Sequence, residues 1–183
     1  MLFIGNLHAQ TGTYSKTYKS GASCTIAVSR AGKDISADIF AWWHTASGQH
    51  GAFAGDGALQ NNKVVLKGNG EGSDCNISLQ FADKTIDVQF ADCIFYNLPE
   101  DFNGKFHLLT NRVPGDYVIN IPQAYFYKTA DAKHRLRSFL IKGNKVTVAL
   151  ENIINKDWVF INYTNASGRT TNGYMPWSVL EFL

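Results

Sequence analysis

No stretch of this 183-residue chain carries the sustained 3.6-residue apolar period of a long amphipathic helix. Its apolar residues alternate with polar ones over short runs, and Gly, Asn and Asp break the runs at intervals. That pattern predicts strands joined by tight turns. Gly12–Ser20 reads as an entry strand. Ser23–Ser29 alternates, Arg30–Asp34 turns, and Ile35–Trp43 returns. Ala52–Leu59 and Lys63–Lys67 are joined at Gln60-Asn61-Asn62. A hairpin bounded by Cys75 and Cys93 follows, and Lys105–Leu109 closes the series. About eight short strands at this spacing predict an antiparallel β-barrel or sandwich. An aromatic fraction of 13%, with 16 Gly against 4 Pro, agrees with an all-β chain. The length leaves room for a second, smaller domain.

The cysteines Cys24, Cys75 and Cys93 form no Cys-x-x-Cys pair, which argues against a zinc ribbon or a thioredoxin-like centre. Cys75–Phe81 and Ile86–Cys93 read as two arms of one hairpin, with Ala82–Thr85 as its turn. Antiparallel pairing about Lys84 sets Cys75 opposite Cys93, within disulfide reach. Cys24 is then either a buried thiol or a competitor for one of the two partners, and all three single pairings stay open. The apolar start Met1–Ala9 reads as a signal-peptide remnant with cleavage after Ala9, although a basic leading region is missing. With a disulfide, it predicts a periplasmic or secreted protein. No apolar run is long enough to form a transmembrane helix.

Charge divides the chain. Residues 10–110 carry 8 basic and 10 acidic side chains, whereas residues 111–183 carry 9 and 5. Such asymmetry marks two domains with different partners or with mutual attraction. A net charge of +2 without a dense basic stripe argues against nucleic acid as a partner. Residues 10–110 are read as the N-terminal barrel or sandwich. Residues 111–122 are read as a linker around the Pro114-Gly115 turn, and 123–183 as a separate β-module. Within the module, 123–127, 136–141, 146–151, 158–163 and 170–175 are expected strands.

Two resemblances rest on these residues. Trp158-Val-Phe-Ile-Asn-Tyr163, then Gly168-Arg-Thr-Thr-Asn-Gly-Tyr174, then Pro176-Trp-Ser-Val-Leu180 resembles the last half of bacterial SH3-like domains. That family has a Trp-bearing strand, a distal hairpin, a Gly-aromatic strand and a one-turn helix in this order. The resemblance implies a small, non-catalytic, five-stranded barrel of the kind that accompanies cell-envelope proteins. In the wider SH3 family a peptide groove uses aromatics of the first strand, the Trp strand and the short helix. The matching positions are Tyr125, Tyr127, Trp158 and Pro176-Trp177. The N-terminal part has Gly12-Thr-Tyr14, the Cys-bounded hairpin and Phe102-Asn-Gly-Lys-Phe106. It resembles small secreted β-barrels such as periplasmic lysozyme inhibitors. One inhibitor family carries a Ser-Gly-x-x-Tyr loop; here Ser20-Gly21-Ala22-Ser23 is followed by Cys24 instead of Tyr.

No catalytic constellation is recognisable, and no cofactor is indicated. His44, His50 and Asp56 lie in or near one loop, short of the three or four converging ligands a metal needs. Gly68–Gly72 is Gly-rich but lacks the Lys-Ser/Thr of a phosphate loop. Glu100-Asp101 sits in a Pro-bounded turn. Trp42-Trp43 sends its rings to opposite faces, one of them the core. In 158–163, alternation directs Val159, Ile161 and Tyr163 inward and Trp158, Phe160 and Asn162 outward. The expected ligand surface is therefore Tyr125, Tyr127, Trp158, Phe160 and Trp177, unless these rings cover the N-terminal domain. Lys133 and Arg135, in the basic loop beside it, would favour an acidic ligand. The expected function is an exported binding protein for a cell-envelope peptide or protein. The alternative is an inhibitor or immunity-type protein whose partner is a wall hydrolase.

Overall fold

Alternation resolves into strands throughout the computed structural model, which describes residues 11–68 and 74–183. The stretch read as a signal-peptide remnant and most of the Gly68–Gly72 segment lie outside the described residues. The chain divides into two compact units, Met1–Val113 and Pro114–Leu183.

The first unit carries eight strands: β1 (Gly12–Thr17), β2 (Ser23–Ala31), β3 (Asp34–Trp42), β4 (His50–Ala58), β5 (Lys63–Gly68), β6 (Asn76–Phe81), β7 (Thr85–Ala91) and β8 (Gly104–Thr110). Each pairs antiparallel with the next, and β8 returns to β1, so the strands form a closed barrel. Inward residues follow the period of two. In β3, Ile35, Ala37, Ile39 and Ala41 are buried, while Asp34, Ser36 and Asp38 face out. Aromatic rings of Tyr14, Phe53, Phe90 and Phe106 help fill the interior with Ile, Leu and Val side chains. The β4–β5 turn holds Asn61 and Asn62 at φ 50° and 62°. Two successive left-handed residues make the turn whose twist suits a hairpin, and Asn tolerates that region.

Cys75 and Cys93 form a disulfide, with Cα atoms 4.4 Å apart. Their route together differs from simple opposition across the ladder. The hairpin pairs Asn76 with Ala91 and Phe81 with Ile86, one residue tighter than a register centred on Lys84. Asp92 then takes a left-handed φ of 60°, which bends the chain so that Cys93 comes back to Cys75. The bond indicates an oxidising, extracytoplasmic environment. Among the described residues, no helix is long and apolar enough to cross a membrane. Cys24 is a free, buried thiol.

The second unit carries β9 (Gly115–Ile119), β10 (Gln123–Tyr127), β11 (Arg135–Ile141), β12 (Lys145–Val148), β13 (Trp158–Thr164), β14 (Thr170–Pro176) and β15 (Leu180–Phe182). One sheet has the order β11-β10-β14-β13 and the other β12-β9-β15. Two strands are absent from the sequence reading. β9 lies in the stretch 111–122 expected as a linker, where Pro114-Gly115 reads as a turn and hides the Tyr117–Ile119 alternation. β15 is only three residues long. β9 pairs with both β12 and β15, and so holds the smaller sheet together. The core of this unit includes Tyr117, Ile119, Phe126, Val146, Val148, Val159, Ile161, Met175 and Trp177.

Two thiol measurements follow. Replacing Cys75 and Cys93 by Ser should cost about 3 kcal/mol, the loop-closure entropy of a bridge of this span, measured by denaturant unfolding. Burial pushes the Cys24 thiol well above its ordinary range despite the opposing charge of Lys16. Cys24 should therefore resist a thiol reagent in the native protein and react only on unfolding, and non-reducing peptide mapping should find Cys75 linked to Cys93 alone.

Candidate binding surface

The four-stranded sheet buries one set of alternate side chains and presents the other. In β13, Val159 and Ile161 are buried, Trp158 and Phe160 are half-buried, and Asn162 is exposed. Tyr163, expected inward, is half-buried. In β10, Ala124 and Phe126 are buried while Tyr125 and Tyr127 are half-buried. β14 buries Gly173 and Met175 and leaves Tyr174 half-buried. β11 buries Leu140 and exposes Arg135, Arg137, Phe139 and Ile141.

These outward rings form pairs across the strands. Tyr125 and Phe139 have ring centroids 5.5 Å apart. Tyr127 meets Trp158 edge-on at 5.0 Å, and Phe160 meets Tyr174 edge-on at 5.1 Å. The register sets Tyr127 opposite Tyr174. The three pairs therefore share one face as a staggered row, with Arg135 opposite Tyr127 and the Tyr125–Phe139 pair set two residues along β10. Edge-on and tilted contacts are the geometries ring quadrupoles favour, so the row is organised before any ligand arrives.

Gly173 permits the row. A Cβ at this position would lie 2.8 Å from the Tyr127 carbonyl oxygen, and its φ of +155° also favours glycine. Only an absent side chain lets β10 approach β14 this closely, and that approach sets Tyr127 beside Tyr174 and Trp158.

The charged residues sit at the β11 side. The Arg135 guanidinium lies 4.5 Å from the centroid of the Tyr125 ring. Lys133 is exposed in the loop between β10 and β11, and its backbone N–H donates to Asp131 Oδ1 at 2.7 Å. Asp131 organises this loop. The Thr129 hydroxyl donates to Asp131 Oδ2 at 2.8 Å, and His134 Nδ1 lies 3.1 Å from Oδ1. The Thr129 hydroxyl and then the Lys133 backbone N–H hold the Asp131 carboxyl down to about 2, with His134 adding to the effect.

Trp177 does not reach the aromatic row. It is 3% exposed, packs against Tyr117 at 5.5 Å, and donates its indole N–H to the Asn155 carbonyl at 3.1 Å. The one-turn helix Trp177–Val179 buries both of its apolar ends, so this ring is core. The structure thus brings Tyr125, Tyr127, Trp158, Phe160 and Arg135 onto one face and leaves Trp177 out. Phe139 and Tyr174 complete the face without having been singled out from sequence. Their signal was the β11 alternation Arg135, Arg137, Phe139, Ile141 and the parity of Tyr174 against buried Met175.

A second feature lies at one end of the barrel. Ile94 and Phe95 are 79% and 85% exposed in the one-turn helix Ile94–Tyr96 that follows Cys93. Several contacts clamp that turn from behind. Tyr96 packs edge-on against Phe53, Asn97 Nδ2 donates to the His50 carbonyl, and the Trp43 indole donates to the Asn97 carbonyl. A Cβ on Gly51 would lie 2.4 Å from that same carbonyl oxygen. Trp43 also meets Phe102 edge-on, whereas Trp42 is exposed and meets His44 edge-on. His50 stacks on Phe40. Among the described residues, no group of three metal-ligating side chains occurs.

Comparison of the chain with protein-family models, characterised proteins and solved structures gives no match.

The two tryptophans should respond differently to truncation. Trp177→Ala should destabilise the protein by about 3–5 kcal/mol, as for a buried large side chain. Trp158→Ala should cost less, about 1–2 kcal/mol, for a lost edge-on pair and the half of the ring that is covered. Denaturant melts of the two variants would measure the contrast, and an equal loss would place Trp158 in the core. The loop offers a pH test. Its carboxylate is held below the unfolded value of about 4, so its ordering effect is complete above that value. It should be lost as pH falls from about 4 through about 2. In the native protein, carboxyl chemical shifts of Asp131 and amide shifts of Lys133 should move together with a midpoint at about 2.

Proposed function

We propose that this is an exported, non-catalytic two-domain β-protein whose C-terminal unit is SH3-like and binds a cell-envelope peptide or protein. The periplasm or the cell exterior is its place of action. The observation that carries the reading is the set of half-buried and exposed ring pairs on one face of β11, β10, β14 and β13. Aromatic platforms bind extended or Pro-rich segments because their rings give large contact area with little rotamer entropy to lose. The SH3-like part of the reading is supported by the order of elements. A Trp-bearing strand β13, the turn at 165–168, a Gly-aromatic strand β14 and the one-turn helix Trp177–Val179 follow one another. Of the positions suggested by that family, Trp177 is core, so the proposed surface is the sheet face and not a groove reaching the helix.

A second reading draws on the barrel. Ile94 and Phe95 project from a turn that is clamped by a disulfide and by hydrogen bonds. Rigid, exposed apolar anchors suit insertion into a pocket of another protein. Such an element fits an inhibitor or immunity-type protein that plugs a wall-degrading enzyme.

Incubation with purified peptidoglycan and with lysozyme separates the readings. Under the first, the protein sediments with the wall, and the double variant Tyr127→Ala, Trp158→Ala stays in the supernatant while remaining folded. Under the second, lytic activity falls, and Phe95→Asp restores it. Release of muropeptides by the protein alone would refute the non-catalytic reading.

A further inference from the structure

We infer that the aromatic face takes a carboxylate-bearing segment, its acidic group held by Arg135 and Arg137 and its apolar groups lying toward Trp158 and Phe160. The inference rests on the peptide-binding reading above and adds the ligand's charge and its direction.

Polarity along the row carries the argument. Its β11 side holds Arg135, Arg137 and Phe139 on the exposed parity, with Leu136 and Ser138 between them half-buried. Its β13 side holds Trp158, Phe160 and Asn162, without a charged side chain. Both ends carry apolar side chains, but the cationic ones stand at the β11 end alone.

The Arg135 guanidinium lies over the Tyr125 ring, 4.5 Å from its centroid. Packing one face of the guanidinium on a ring removes water there and leaves the N–H edge as the route to a partner. A carboxylate matches that edge with two parallel hydrogen bonds. Among the described residues, no carboxylate lies within ion-pair distance of Arg135 or Arg137. The carboxylate closest in sequence, Asp131, is already engaged by Thr129, Lys133 and His134. The loop thus spends its own acid on shaping itself and leaves the two arginines for an external one.

Geometry sets the length. Four strands about 4.8 Å apart span about 15 Å from first to last, which is four to five residues of extended chain at roughly 3.3 Å each. An acidic residue over β11 then puts apolar residues over Tyr127–Trp158 and Tyr174–Phe160. The occupant that fits is an acidic, apolar segment of a protein chain, because a run of four to five extended residues carries both the carboxylate and the apolar side chains that this face meets.

Calorimetric titration of the full chain tests the inference with two probes and their controls. One probe is a synthetic stem tetrapeptide. The other is a linear pentapeptide with one Glu followed by Pro and Leu residues. Each control has its carboxylates converted to amides. Wild-type protein should bind a charged probe at least tenfold more tightly than its amide. Arg135→Gln should bring the charged probe down to the level of the amide, and Arg135→Lys should recover part of the difference. The pentapeptide should bind more tightly than the tetrapeptide, and the reverse order overturns the protein-segment occupant in favour of the wall. Equal binding of charged and amidated forms, with Trp158→Ala abolishing both, overturns the carboxylate inference and leaves the peptide-binding reading standing. Retained discrimination in both Arg135→Gln and Arg137→Gln also overturns it. Absence of binding by every probe overturns the inference and the reading together.

Discussion

The return of β8 to β1 is the pairing on which the first unit depends. An eight-strand meander left open would present two bare edges, each a template for unwanted strand addition. The closing contact is irregular and is fitted around one small residue. The register shifts between Thr13 and Tyr14, and a Cβ on Gly12 would lie 2.6 Å from the Thr110 carbonyl oxygen. The Thr13 hydroxyl then donates to the Arg112 carbonyl, fastening the chain just beyond β8. Once eight strands close, their interior is about wide enough for side chains alone. Here Tyr14, Phe90, Phe106 and their aliphatic neighbours occupy it, and binding chemistry is left to the ends and outer surfaces.

The second unit solves a different problem. Its two small sheets bury Phe126, Val159, Ile161 and Met175, and the same strands put Tyr127, Trp158, Phe160 and Tyr174 on the other side. Apolar surface in contact with water is unfavourable by about 25 cal/mol per Å². Edge-on pairing recovers some of that by covering ring against ring, and it also fixes the rings in place. A fixed platform loses little entropy on binding, so a modest contact area can give useful affinity. The close approach at Gly173 therefore links backbone geometry to binding chemistry. Without it Tyr127 would stand away from Trp158 and Tyr174.

Much of this was legible in the sequence because β structure writes its burial at a period of two. The direction of Trp158 and Phe160 followed from alternation with Val159 and Ile161. The cysteine pair followed from the hairpin, although the route did not. Nothing in the composition of Ala91-Asp92-Cys93 announces that Asp92 would turn left-handed and shorten the register by one. Trp177 illustrates a second limit. Alternation ends where a one-turn helix begins, so the fate of its ring depended on tertiary packing against Tyr117 and on an acceptor at Asn155. β9 was hidden by Pro114-Gly115, whose turn chemistry outweighed the short alternation of Tyr117–Ile119. The row itself needed strand order. Tyr174 and Phe139 lie far apart in sequence and become neighbours of Tyr127 and Tyr125 only through the pairing of β10 with both β14 and β11.

The arginines of β11 admit a plainer account, and the geometry weighs against its being complete. β11 is an edge strand, and charge on an edge strand discourages pairing with other chains. A charge serving only that purpose does best fully hydrated, with its long side chain free to move. Arg135 is not such a residue, because its guanidinium lies over the Tyr125 ring and gives up water on that side. Stacking of this kind is worth about 0.5–1 kcal/mol at an exposed site, close to the cost of ordering the side chain. It therefore adds little stability, but it fixes where the donor edge points. The Tyr125 hydroxyl is in turn held by Gln123 Oε1 at 2.9 Å, which steadies the ring beneath the cation. An edge-protecting charge has no use for a positioned support, whereas a carboxylate-binding one does.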